Sequence, residues 1–265
     1  MNICLFSPEE ITEPLSVKDE RGEHIIKVLH KKTGDSFTAG IIDGESGIAT
    51  ITKIVQAGEC EPAKIHFTFE PKEDGKPLTN LKMIIGFPRP IQLKRLLRDI
   101  AALGVKEVHL TGTELGEKSY MKSTLVEKGS AYKMLLDGVV QAGGTHVPQL
   151  FLHQTLRECL EYLEDHASEE HSQHILRLGL DNVNPKCSLS AAMKDLPCME
   201  CQKTCSEGKM VFAAIGSERG WTNKERVLLE EYGYVRCSMG NRIMRTETAA
   251  TVAGAIILNK LGYMD

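Results

Sequence analysis

Two glycine-flanked loops are the strongest candidates for chemistry in this chain. The first, Gly216-Ser217-Glu218-Arg219-Gly220, interrupts the apolar run Val211 to Ile215 and so stands where a buried strand ends. The second, Ser238-Met239-Gly240-Asn241-Arg242, leads through Ile243-Met244-Arg245 into a helix of very small residues that opens at Thr246. Backbone free of side chains at a strand end, with a helix N-terminus beside it, lets amides hold a ligand edge-on. Neither loop has the G-x-G-x-x-G spacing and following acidic residue of a dinucleotide fold. Ser238 and Thr246 also belong to the residue types that merely cap turns and helices.

The loops carry a resemblance. The stretch Val211 to Leu258 resembles the C-terminal signature of the SPOUT methyltransferases, and within them the 16S rRNA uridine-N3 methyltransferase family, which reads roughly GPEGG in the first loop and LGxRILRxETA in the second. Gly216, Glu218, Gly220, Gly240, Arg242, Ile243, Arg245, Glu247, Thr248 and Ala249 match in order and spacing. The resemblance implies an α/β protein with a C-terminal SPOUT trefoil-knot domain and an N-terminal PUA-like β-barrel, working as a homodimer on small-subunit rRNA. It implies S-adenosylmethionine as cofactor, held by Leu180, Ile215, Gly216, Ser217, Glu218, Gly220, Ser238, Met239, Gly240, Ile243 and Met244. Methylating N3 of a uridine requires displacing an imide proton while a sulfonium methyl is held in line. Positioning and stabilisation of negative charge on the base should therefore supply most of the rate. Arg245 is the expected cation for that charge or for a phosphate, and Glu247 either orients Arg245 or sits favourably in the first turn of its helix.

The substrate side of the family pattern is altered. Where the family reads roughly PKGDRxxxxxxKATELGV, Arg89 stands for the lysine, Pro90 for the glycine, Asp99 for the second lysine and Ala102 for the glutamate, with Leu103-Gly104-Val105 intact. Glu117-Lys118-Ser119 replaces a glutamate-arginine-serine triplet, and Gly144 replaces the arginine of a QSGRxxVP passage. The expected RNA contacts are Arg89, Lys94, Arg95, Arg98, Lys118 and Arg242, with Lys94 and Arg98 on one helix face; an ordinary solvated face is the plain alternative. A non-catalytic RNA-binding or ribosome-assembly protein that kept the fold is the alternative function, and these altered positions are what favour it.

Two cysteine features compete with this reading. Cys198, Cys201 and Cys205, with Cys187 upstream, have a C-x2-C-x3-C spacing that suits zinc, a cluster or simply a loop of free thiols. The spacing reverses the C-x3-C-x2-C of radical enzymes and encloses no histidine, so no metal is assigned. Cys237 lies at a strand end beside the second loop, where core packing is the commoner role than nucleophile.

These residues need a scaffold of strands and helices. From Cys4 to about Phe69 short alternating apolar patterns with turns at Thr33-Gly34-Asp35 and Asp43-Gly44-Glu45 predict a small β module, with strands such as Ser36 to Ile42 and Gly47 to Ile54. His24 to His30 and Gly34-Asp35 resemble a passage of the family's PUA-like barrel, an RNA-binding module there, although a small barrel can also be a mere scaffold. The domains expected are 1–70, a charged, proline-bracketed linker over 71–79, and 80–265. In the last, Leu81 to Phe87, Val105 to Leu110, Ile175 to Leu180 and Val211 to Ile215 predict strands. Ile91 to Leu103, Ser123 to Gln141, Glu158 to His166, Asn223 to Glu231 and Thr246 to Lys260 predict helices, an alternation that calls for a parallel sheet covered on both faces. Ala249, Ala250, Ala253, Gly254 and Ala255 give the last helix a smooth side, for close packing within one subunit or between two.

Composition bounds the partners. A chain of 265 residues can bury a substantial core, and its net charge of −4 and pI near 6.2 leave RNA contact to local patches. No apolar run approaches the roughly 20 residues of a membrane span, and the start MNICLFSPEE lacks a signal-peptide layout, so a cytoplasmic location is expected.

Overall fold

The structure, a computed structural model, describes residues 2–57, 62–122, 129–167, 175–194 and 209–264, which form two compact units. The first unit comprises Met1–Pro77 and Leu136–Val147. Its sheet contains β1 (Cys4–Phe6), β2 (Leu15–Ser16), β3 (Ser36–Ile41), β4 (Ser46–Val55) and β5 (Lys64–Glu73), in the order β1-β3-β4-β5-β2. The expected hairpin is present: β3 and β4 run antiparallel with Thr38 opposite Ile48. Alternation along these strands sends Phe37, Ala39, Ala49, Ile51 and Ile65 inward with Phe6, Ile11 and Ile25. A helical turn, α1 (Glu20–Glu23), is capped by Asp19, and the Arg21 guanidinium lies 4.8 Å above the Phe6 ring while pairing with Asp19 and Glu10 at 2.9 Å each.

Two stretches group differently from the expected bounds. β5 continues through Pro71-Lys72-Glu73, residues expected in a linker, because they extend the pairing with β4. Leu136–Val147, expected in the C-terminal domain, groups with the first unit: the Asp43 carboxylate accepts from Val147 N–H at 2.8 Å, and Asp43 N–H donates to the Thr145 carbonyl at 3.0 Å.

The second unit, Leu78–Leu135 and Pro148–Asp265, is built on a seven-stranded sheet. In chain order its elements are β6 (Thr79–Gly86), α2 (Pro90–Ala102), β7 (Val105–Thr111), α3 (Ser130–Ala142), β8 (Gln149–His153), α4 (Leu156–Ala167), β9 (Ile175–Leu180), β10 (Cys187–Ser188), α5 (Leu189–Ala192), β11 (Met210–Ile215), α6 (Asn223–Glu231), β12 (Val235–Ser238) and α7 (Thr246–Leu261). Helix α3 begins in the second unit and ends in the first; residues 123–128 of the helix expected there lie outside the described residues. The strand order is β10-β12-β9-β11-β6-β7-β8, and each neighbouring pair is parallel. Strand β11 is buried along its whole length, which is why its sequence is an unbroken apolar run.

Helix α2 starts with Pro90 at its first turn, where a missing N–H costs nothing, and buries Leu93, Leu96, Leu97 and Ile100. Its charged residues Lys94, Arg95 and Arg98 face outward. Helix α7 packs against α2 and β6, and its smooth side is largely consumed there: Ala250, Ala253 and Gly254 are buried within the chain, and a β-carbon on Gly254 would stand 3.0 Å from Leu103 Cδ1. Among the described residues no helix is long and apolar enough to cross a membrane.

Candidate functional site

Three parallel strands end side by side. Ile215 at the end of β11 pairs with Leu180 of β9, and Leu180 pairs in turn with Cys237 of β12, so the two glycine loops leave the same edge of the sheet. Crevices at the carboxyl ends of parallel strands are where open α/β sheets bind ligands.

The first loop is fixed from several sides. Gly220 N–H donates to the Ser217 carbonyl at 2.8 Å and closes a tight turn. Gly86, at the end of β6, touches this turn so closely that a β-carbon there would fall 2.3 Å from Ser217 N. Thr113 Oγ1 donates to Ser217 Oγ at 2.9 Å in a buried contact, and Glu218 receives Arg89 Nε at 3.1 Å. The Glu218 carboxylate is the main reason the Arg89 guanidinium is held above its usual pKa. The buried Trp221 indole donates Nε1–H to the Leu180 carbonyl at 3.1 Å, tying the loop's exit back to β9. Thr246 Oγ1 donates to the Gly216 carbonyl at 3.2 Å, joining the start of α7 to the same loop.

The second loop is more open. Gly240 has a φ of +108°, and no atom lies within 4 Å of where its β-carbon would be. Ser238, Met239 and Met244 are half-buried, while Arg242 and Arg245 are exposed and Ile243 is 88% exposed. Arg245 is the N-cap residue of α7, and Glu247 is buried in the helix's first turn. Among the described residues neither the Arg245 guanidinium nor the Glu247 carboxylate hydrogen-bonds within the chain, so the pairing weighed from sequence is not made in this structure.

Of the basic residues expected on the RNA side, Arg89 alone reaches the first loop, in a cleft of about 110 Å³ that it shares with Glu117, Tyr120, Ser217, Glu218 and Arg219. Lys118 lines a larger cavity of about 1080 Å³ at the ends of β7 and β8, with Thr113, Gln154, Arg157, Thr222 and Glu225. Arg95 pairs with Asp99 at 3.5 Å on the outer face of α2.

Two structural supports were not evident from sequence. Asp181 follows Leu180 directly; its N–H donates to the Cys237 carbonyl at 3.0 Å, and its carboxylate receives Arg226 Nε at 2.7 Å and Arg236 Nη1 at 3.3 Å. Burial raises its pKa, but the Arg226 guanidinium, the Val183 N–H and the Arg236 guanidinium together outweigh burial and hold the carboxyl below the usual range. Glu225 completes a capping box with Thr222 and also receives Glu114 N–H at 2.9 Å, linking α6 to the segment after β7. Cys237 is buried, and burial pushes its thiol up to about 12, which suits the core role. Cys187 lies in β10 opposite Cys237; Cys198, Cys201 and Cys205 lie outside the described residues.

A parallel sheet with two glycine loops at the strand ends on either side of β9 defines a class, and comparison with known proteins specifies it. The family model of the RNA methyltransferase domain matches residues 75–258. The chain is 39% identical over 264 residues to the ribosomal RNA small subunit methyltransferase E of Treponema pallidum, covering 97% of this chain and 91% of that protein. It is 28% identical over 263 residues to ribosomal RNA small subunit methyltransferase E 1 of Borreliella burgdorferi, covering 98% and 99%. The fold is shared with the ribosomal RNA small subunit methyltransferase E of Neisseria gonorrhoeae, solved bound to S-adenosyl methionine, at a TM-score of 0.68, 20% identity and coverage of 98% and 97%. A probable rRNA methyltransferase from Porphyromonas gingivalis shares it at a TM-score of 0.71 and 17% identity, each chain covered to 100%. The chain belongs to the ribosomal RNA small subunit methyltransferase E family.

Proposed function

We infer that this protein transfers the methyl group of S-adenosylmethionine to RNA of the small ribosomal subunit, at N3 of a uridine in 16S rRNA. The observation that carries the reading is the row Ile215, Leu180 and Cys237, which sets both glycine loops on one edge of the sheet in a chain 39% identical to a ribosomal RNA small subunit methyltransferase E. The residues present fit the cofactor. Leu180, Ile215 and Met244 offer apolar surface, the backbone of Gly216 to Gly220 and Ser238 to Gly240 offers amides, and the space beside Gly240 is open.

Bound there, S-adenosylmethionine supplies an electrophilic methyl group. The chain's part is to hold the first loop rigid through Thr246, Trp221 and Gly86, so that little ordering is left to the moment of reaction. As the imide proton leaves to solvent, negative charge spreads over N3 and the uracil oxygens, and it is discharged when N3 takes the methyl group. The exposed Arg245 at the start of α7 is placed to meet it. Arg89, anchored by Glu218, and Lys118 hold RNA phosphates at the adjoining clefts.

The finer architecture belongs to the same reading. We propose that the five-stranded first unit is the family's PUA-like barrel, supported by its largely antiparallel sheet of order β1-β3-β4-β5-β2, and that the chain between β11 and α7 forms the trefoil knot. A crystal structure with bound cofactor, tracing the C-terminal chain through its loop or beside it, tests both. The protein acts as a homodimer in the cytoplasm, where small subunits mature. The exposed Ile243 beside the site supports a subunit contact, and a monomer at micromolar concentration by sedimentation would remove that part. Mass spectrometry of rRNA nucleosides from cells with and without the gene tests the function: 3-methyluridine should disappear from 16S rRNA, and its persistence would overturn the assignment.

A further inference from the structure

Strands β6, β7 and β8 carry a line of buried polar side chains that the methyl-transfer reading does not use. Lys82 Nζ lies 2.8 Å from Glu107 Oε1, Glu107 Oε2 lies 2.9 Å from His109 Nε2, and His109 Nδ1 lies 3.0 Å from His153 Nε2. A carboxylate held by a lysine can only accept, so His109 carries its proton on Nε2 and presents a bare lone pair at Nδ1. His153 must then donate Nε2–H to it. Helix α4 covers this face and brings up Cys159; one ligand atom from each of His109, His153 and Cys159 lies within 4.8 Å of the others, and all three residues are buried. Phe151 stacks on His109 at 4.7 Å, and Tyr162 lies 5.4 Å from His153, giving the cluster aromatic walls.

We propose that His109, His153 and Cys159 form a binding site for one borderline-soft divalent cation of the zinc class. Tetrahedral zinc with N at about 2.0 Å and S at about 2.3 Å would separate its two nitrogens by roughly 3.3 Å and each nitrogen from sulfur by roughly 3.5 Å. The histidine nitrogens need to part only slightly, and the thiol needs to close by about an ångström. Binding forms two N–metal bonds and one S–metal bond. The Cys159 proton leaves to solvent, and the His153 proton moves from Nε2 to Nδ1, so one proton is released per cation. Glu107 continues to accept from His109 Nε2, the outer-shell partner that ligating histidines ordinarily have. The fourth position falls to water. Held this way, the cation would fasten α4 to β7 and β8.

The cysteine-rich segment supplies rival thiols, so the test uses the full chain with Cys187→Ser, Cys198→Ser, Cys201→Ser and Cys205→Ser, kept reduced and titrated with Co²⁺ and then Zn²⁺. One equivalent of cobalt should bind with a thiolate charge-transfer band, and zinc should displace it. Cys159→Ser should abolish the band, and Glu107→Gln should weaken binding by about 10- to 100-fold. X-ray absorption of the zinc form of the four-serine protein needs no further substitution and should count one sulfur and two imidazole nitrogens. Absence of stoichiometric binding, a band indifferent to Cys159→Ser, or a coordination shell without sulfur would each overturn the site.

Discussion

Thr246 donates its hydroxyl to the carbonyl of Gly216 at 3.2 Å, so the helix that begins after the second glycine loop is fastened to the first. Both groups are buried, and replacing Thr246 with valine keeps the shape while leaving the carbonyl without its donor. The Thr246→Val protein should lose about 1–3 kcal/mol of stability and bind S-adenosylmethionine about tenfold more weakly. Thermal unfolding and calorimetry on the same preparation check this, and unchanged affinity would detach Thr246 from the cofactor site.

Gly86 and Gly240 should respond to substitution for different reasons. At Gly86 an added β-carbon meets the Ser217 backbone at 2.3 Å, so Gly86→Ala must displace the first loop. At Gly240 there is room, but a side chain is strained at φ +108°, a cost of about 1–3 kcal/mol. Gly240→Ala should therefore fold and bind the cofactor at least several-fold more weakly, whereas Gly86→Ala should lose stability as well. Calorimetry beside a melting curve separates the two effects.

Asp181 sets an acid limit. Its carboxyl titrates below the ordinary aspartate range in the folded chain, so its contribution is complete above about pH 4 and is lost as pH falls through the lower, native value. Asp181→Asn should cost about 2 kcal/mol at neutral pH and flatten the stability profile below pH 4. Denaturant midpoints measured from pH 7 to pH 3 report it. An equal acid slope in both proteins would mean that other carboxylates govern the limit.

Some of this was legible in the chain and some was not. The apolar run ending at Ile215 and the glycines after it identify a buried strand and its loop, because an interior parallel strand has no polar face to disguise it. The helix over Pro90–Ala102 is equally plain from its proline and its inward leucines. By contrast β8, Gln149–His153, is exposed or half-buried up to its last residue and carries two polar ends, and β10 is only two residues long. The role of Asp181 depends on Arg226 and Arg236, which come near only after β12 takes its place beside β9. The smooth face of α7 was ambiguous because small residues suit any close neighbour; Ala250, Ala253 and Gly254 turn out to face inward. Why Gly86 must be glycine depends on Ser217, a residue far away in sequence.

The outer face of α2 tests the RNA side. Lys94→Glu with Arg98→Glu should weaken binding to 30S particles and lower the slope of log K against log salt by roughly one to two units, with cofactor affinity unchanged. Filter binding over a salt series gives the slope. An unaltered slope would make this an ordinary solvated face and move the RNA contacts to Arg89, Lys118 or the first unit.

The central claim is that this edge of the sheet transfers a methyl group with Arg245 stabilising the negative charge that builds on the uracil as its imide proton leaves. Single-turnover transfer of labelled methyl from S-adenosylmethionine to 30S particles, measured for the wild type and Arg245→Ala, tests it most directly. The account predicts 3-methyluridine from the wild type and a rate on the order of 100-fold lower in the variant, with cofactor affinity nearly unchanged. No transfer by the wild type would contradict the enzymatic reading, and equal rates in the two proteins would contradict the role given to Arg245.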